Sequence, residues 1–241
     1  MSKLIPLLLL ILLTGCATTP PWEQTDPDKQ ALAYANRGMG YLEFDQPIRA
    51  MQDFQLALDL RPRHARALHG MALSLQEQGE NQLADDYFKK TLQADPHKTA
   101  ARNNYAAFLF SQSRYDEART ELKKASEDIR YPNRSMIFEN LGYVELQLNQ
   151  QSAATDHFQR AVELNRSAVN SHRELLMLRL DQGQLNRAEQ HWHFLRSAGV
   201  RDEPTLRAAL DLAQKTGNQP EQRYIEDLLK TSANHNQEPA N

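Results

Sequence analysis

One cysteine in 241 residues leaves nothing to pair with in an internal disulfide, a CxxC redox motif or a cysteine-rich zinc site. Basic side chains are not in excess. Against 31 Asp and Glu stand 28 Lys and Arg, a formal net charge of −3 that offers no footprint for a nucleic-acid backbone. Nine Gly and eleven Pro are too few for a low-complexity or collagen-like chain. No apolar run approaches the roughly twenty residues that span a bilayer. Catalytic motifs are missing as well: there is no GxSxG elbow, no Gly-rich phosphate loop closed by Lys-Ser/Thr, and no HExxH. His191-Trp192-His193 has the look of a metal pair, but helix neighbours one and two apart do not share a face. The chain therefore reads as a non-enzyme, with no catalytic residue, metal site, cofactor, nucleic-acid partner or small-molecule substrate.

The N-terminus is distinctive. Lys3 precedes the aliphatic run Leu4 to Leu13, then come Thr14, Gly15 and Cys16. A basic start, a short apolar stretch and small residues before a cut mark residues 1–15 as a secretory signal peptide. Leu13-Thr14-Gly15-Cys16 resembles the bacterial lipobox. That resemblance implies diacylation of Cys16, cleavage of the peptide bond before it and acylation of the new amino group, with palmitate among the lipid chains. An ordinary signal peptide with an incidental Cys is the alternative, and the position of the sole Cys favours lipidation. Several acyl chains anchor stably where one is marginal. Ala17, where an Asp would retain an enterobacterial lipoprotein at the inner membrane, implies the periplasmic face of the outer membrane. Residues 16–28, rich in Thr, Pro and acid, read as the lipidated Cys and a flexible tether, and 232–241 as a disordered tail.

Between these ends the chain repeats. Ala50, Ala84, Ala118, Ala154 and Ala188 recur at intervals of 34, 34, 36 and 34 residues. Four residues after each comes a large apolar group: Phe54, Phe88, Leu122, Phe158 and Trp192. Twelve before each stands Gly38, Ala72, Ala106, Gly142 or Leu176. This pattern resembles the tetratricopeptide repeat. Small residues let two helices cross closely, the aromatic fills the gap toward the next repeat, and Pro62 and Pro96 stop the second helix. The expected fold is all-α, a right-handed α-solenoid of five clear repeats plus a degenerate sixth helical pair over 29–231. The repeats fall at about 31–64, 65–98, 99–132, 135–168 and 169–202, with the degenerate pair at 203–231. A two-residue insertion is assigned to the loop Ile129 to Arg134.

A solenoid without chemistry works through its concave face, lined by the first helix of each repeat. At the inward positions stand Leu32, Asn36, Met39 and Leu42, then Arg66 and His69. Asn103, Asn104 and Phe110 follow in the third repeat, Asn140 and Tyr143 in the fourth, and Arg173 in the fifth. Asn36, Asn104 and Asn140 share the sixth position, where an amide can bond an extended peptide through donor and acceptor. Apolar groups alternate with them, a mixture suited to a partner's hydrophobic segment.

A lipobox followed by about six such repeats is similar to the PilF/PilW family of type IV pilus biogenesis lipoproteins, the pilotins. Asn103-Asn104-Tyr105-Ala106-Ala107-Phe108-Leu109-Phe110, Arg114-Tyr115-Asp116-Glu117-Ala118 and Ile137-Phe138-Glu139-Asn140-Leu141-Gly142 carry the resemblance. It implies delivery of the pilus secretin subunit to the outer membrane and promotion of its ring assembly. The alternative is a tetratricopeptide lipoprotein that scaffolds peptidoglycan hydrolases at the outer membrane.

Overall fold

The 34-residue period resolves into pairs of antiparallel helices. A computed structural model describes residues 26–235, twelve helices and no strand among them. The signal peptide, Cys16, Ala17 and the tether up to residue 25 lie outside the described residues, as do 236–241. First helices are α1 (Pro27–Glu43), α3 (Ala65–Glu77), α5 (Thr99–Ser111), α7 (Arg134–Gln147), α9 (Val169–Asp181) and α11 (Glu203–Lys215). Second helices are α2 (Pro47–Leu60), α4 (Asn81–Ala94), α6 (Tyr115–Ser126), α8 (Gln151–Leu164), α10 (Leu185–Ser197) and α12 (Gln219–His235). At both ends helix extends past the expected boundary. Pro27 sits in the first turn of α1, where its missing N–H costs nothing, and the Asp26 carboxylate caps by accepting from the Asp28 N–H. At the other end α12 continues to His235, into the stretch expected as tail.

Every pair is closed by the same turn. Its middle residue has positive φ: Asp45, Gly79, Ser113, Asn149, Gly183 and Gly217. The residue directly after it closes a six-to-one backbone bond, as in Gln46 N–H to Tyr41 O at 2.9 Å and Asn218 N–H to Ala213 O at 2.8 Å. The terminal pair makes this turn like the other five, so its weak motif hides regular repeat geometry. Two extra residues are absorbed between α6 and α7, where Asp128 takes up the slack by accepting from the Thr99 hydroxyl at 2.7 Å.

The periodic small residues lie where the helices cross. Ala50, Ala84, Ala118, Ala154 and Ala188 are wholly buried, with Phe54, Phe88, Leu122, Phe158 and Trp192 beside them. A Cβ on Gly142 would sit 2.6 Å from the Phe158 ring, and one on Gly70 would sit 2.1 Å from Phe54. The ring occupies the space the glycine vacates. The apolar core is continuous from α1 to α7 and again from α9 to α12, with a smaller cluster of Ala154, Phe158, Leu175 and Leu178 between. Successive first helices touch (α1–α3, α5–α7, α9–α11), and no pair of successive second helices packs comparably. The first helices therefore form the inner side of the solenoid.

Candidate functional site

The inner side divides into two chemically different halves. Over the first three repeats it is apolar: Leu32 is 46% exposed, and Met39, Leu42, Leu73 and Phe110 are half-buried over the core. Phe110 meets Tyr115 edge-on at 5.3 Å. Asn36 and Arg66 are exposed, and Asn36 makes no side-chain hydrogen bond among the described residues. Over repeats four and five acidic groups enter this side, although α7 also carries the exposed Met136. Tyr143 lies edge-on to Phe158 at 5.1 Å, with the carboxyl groups of Glu174 and Glu139 in its surroundings. Burial, with Glu174 and Glu139 nearby, pushes the Tyr143 phenol up to about 12. Burial also raises the Glu174 carboxyl, Arg173 pulling against it and Glu139 adding to it.

A ladder of polar contacts runs along this side, linking each first helix to the next. Asn104 Nδ2 meets His69 Nε2 at 3.1 Å, and Asn140 Nδ2 donates to Asn103 Oδ1 at 3.0 Å. The Ser171 hydroxyl donates to Glu139 at 2.7 Å, and Arg173 donates to Asp202 and Thr205, both at 3.0 Å. The fifth position of repeats two to five thus reaches forward to its successor. The ladder corrects the expectation for His69 and Asn103. Both are 6% exposed and lie between helices as struts, not on an open groove. Asn104 and Asn140 each commit an amide N–H to the same struts. The physical reason is proximity: on the inner radius adjacent helices come close enough for one short side chain to bridge them. His69 is kept neutral for the same reason, since burial first, then Lys98 and Arg66, push its pKa down to about 4. A neutral ring whose Nε2 accepts from an amide carries its proton on Nδ1.

Of the expected groove residues, Leu32, Asn36, Met39, Leu42, Arg66 and Phe110 thus share the apolar half, and Tyr143 and Arg173 belong to the acidic one. Several apolar residues outside the expected set are more exposed than Leu32, among them Phe44 at 76% and Ile48 at 64%. These two flank the first turn, where the later repeats carry Gln78, Gln112, Leu148, Gln182 and Thr216 in place of Phe44. That contrast between repeats was available in the sequence, but a template of first-helix positions does not reach the turn.

The His191-Trp192-His193 run splits as helix geometry requires. His191 is buried against His172, whereas the His193 side chain is 65% exposed and lies 3.7 Å from Glu189. No group of His, Cys, Asp and Glu able to hold a metal ion is present among the described residues. No helix there is long and apolar enough to cross a membrane.

Comparison with known proteins agrees with this architecture. The tetratricopeptide repeat family model matches residues 98–167. The type IV pilus assembly protein PilF of Pseudomonas aeruginosa is 33% identical over 211 residues, 86% of this chain and 84% of that one. A solved structure of Pseudomonas aeruginosa PilF superposes with a TM-score of 0.80 at 31% identity, covering 85% of this chain and 92% of that one. The type IV pilus biogenesis factor PilW superposes with a TM-score of 0.70 at 22% identity, over 83% and 92% of the two chains, a likeness of fold. The chain belongs to the PilF family, tetratricopeptide-repeat proteins of type IV pilus assembly.

Proposed function

We propose that this protein is a pilotin: a lipoprotein, anchored through Cys16 at the periplasmic face of the outer membrane, that binds the type IV pilus secretin subunit. Binding promotes the subunit's outer-membrane localisation and multimerisation, and so pilus biogenesis and twitching motility. The observation that carries the reading is the apolar inner side of repeats one to three. Leu32, Met39, Leu42 and Phe110 stand there on the first helices, with the exposed Asn36 among them. Such a surface buries a hydrophobic segment and can satisfy its backbone at the same time. Family membership supports the pilus role, and the lipobox supports the anchor.

Two variants separate anchor from groove. Cys16→Ala loses the lipid site, so fractionation is expected to find the protein outside the outer membrane; an unchanged location overturns the anchor. Leu32→Glu places a charge on an exposed apolar position and is expected to leave the melting temperature unchanged while secretin rings fail to form. Normal rings with Leu32→Glu would move the interface off this side of the solenoid. Capture of peptidoglycan hydrolases in place of secretin subunits would replace the pilotin by a hydrolase scaffold.

A further inference from the structure

The repeats supply their own control for a second site, on the outer side. A groove of about 600 Å³ lies between α4 and α6 over α5, lined in part by Lys89, Arg102, Leu109, Glu117 and Glu121. Seventy residues on, the same groove recurs between α8 and α10 over α9, with a volume of about 480 Å³. Its lining is Gln159, Val162, His172, Arg179, Arg187, Gln190 and His191, each the counterpart of a residue in the first groove.

The charges differ. In the first groove every cation has a carboxylate: Arg102 pairs with Glu121, and Lys89 with Asp85 at 2.5 Å. In the second, Arg179 stands where the first has the wholly buried Leu109, and Arg187 stands where it has Glu117. Neither arginine has a salt-bridge partner among the described residues. The buried carboxylate at the matching position of repeat four, Glu145, has its cation in Arg119 at 3.7 Å. Arg179, 9% exposed, has no such partner. Its Nη1 donates to Gln184 Oε1 at 2.8 Å and Gln182 Oε1 at 3.2 Å, while Arg187 Nη1 shares the same Gln184 oxygen at 3.3 Å. Arg179 Nε is buried with no partner at all. Two guanidinium groups bridged by one neutral amide oxygen leave a buried positive charge uncompensated, a costly arrangement unless an anion joins it. Burial and Arg187 both pull the Arg179 pKa down, against an opposing pull from Asp156.

We propose that the groove between α8 and α10 is a carboxylate-binding site, taking an acidic side chain of a partner polypeptide on the Nε–Nη2 edge of Arg179, which makes no hydrogen bond of its own. That edge is planar and fits both oxygens of a carboxylate side-on. Arg187 adds the second positive charge, and the Gln159 and Gln190 amides at the rim can receive the segment's backbone. The site is independent of the apolar inner side and of the identity of the pilus partner.

The test is guanidinium proton–nitrogen NMR on the full chain, titrated at constant ionic strength with N-acetyl-glutamate methylamide. The glutamine analogue and inorganic phosphate serve as controls. Expected is a saturable shift of the Arg179 Nε–H signal with the glutamate probe and none with the glutamine one. Arg179→Leu restores the side chain found at positions 75 and 109. It is expected to fold with a raised melting temperature and to bind the probe about tenfold or more weakly. Arg187→Gln is expected to weaken binding without touching the buried position. No shift at saturating glutamate, an equal response to the glutamine analogue, or unchanged binding by Arg187→Gln overturns the proposal. Binding of phosphate without glutamate overturns the carboxylate assignment. An Nε–H signal in the ligand-free protein that moves on Asp156→Asn shows an internal partner, and overturns it too.

Discussion

Trp192 Nε1 donates to the Glu221 carboxylate at 2.8 Å, joining the second helix of the fifth repeat to the last helix of the chain. Glu221 also pairs with Arg196 at 2.6 Å, and the Arg196 guanidinium lies 4.4 Å from the Tyr224 ring centroid. The repeat's core aromatic thus has its one polar atom satisfied by the terminal pair. A solenoid has no contacts beyond nearest neighbours, so this joint decides how well its end is held.

Glu221→Ala removes both bonds and leaves a mostly buried indole donor without an acceptor. The expected cost is about 1–3 kcal/mol. Because repeats melt as coupled neighbours, amide exchange is expected to quicken in α11 and α12 first, with α1 to α7 keeping their protection. Uniform loss of protection along the chain would mean the joint carries no local stability.

Gly70→Ala forces a methyl into the Phe54 ring, with buried backbone on one side and a fully buried aromatic on the other. Overpacking of this kind costs about 1–3 kcal/mol. Phe54→Leu in the same chain opens room for the methyl, so the double variant is expected to be more stable than the sum of the single changes requires. Chemical denaturation of all four proteins measures that coupling.

Ala118→Leu overpacks the crossing of α5 and α6 and is expected to lower the melting temperature with a cost of about 1–3 kcal/mol. Asn104→Ala is expected to cost less, about 1 kcal/mol, through the lost His69 contact. It therefore changes fold and groove together, which makes Leu32→Glu the cleaner probe of binding.

Acid is expected to destabilise the protein through its buried histidines. His69 and His191 are both held down to about 4, chiefly by burial, against an ordinary value near 6.5. Between these values the unfolded chain binds more protons than the folded one, so stability rises with pH and is fully present only above about 6.5. By pH 5 each histidine should account for about 1–2 kcal/mol of lost stability. Melting temperatures between pH 7 and 4 check this, and His69→Gln combined with His191→Gln should flatten the slope. An equal slope in the double variant would assign the acid sensitivity to other groups.

The helical pairs were legible in the amino-acid order because their causes are local and recur. Ala50 and its four counterparts mark the crossings, and Phe54 to Trp192 mark the fillers. A small residue at a crossing acts through the helix facing it, a fixed distance away in sequence. Even the weakly marked terminal pair follows, since Gly217 repeats the turn position of Gly183. Which inner residues stand open was not legible. Asn36 and Asn104 hold the same place in their repeats, yet one is free and the other is tied to His69. The difference lies in the neighbour: the link runs from the sixth position back to the fifth of the preceding repeat, and among the described residues no repeat precedes α1 to give Asn36 such a partner. The convergence of Arg179 and Arg187 on a single Gln184 oxygen was equally hidden. In the chain they are ordinary helix residues eight apart; only the packing of α10 over α9 brings their charges together and buries Arg179. Periodicity along the chain determined the architecture, and the distance between neighbouring repeats decided which polar groups are struts and which are left to bind.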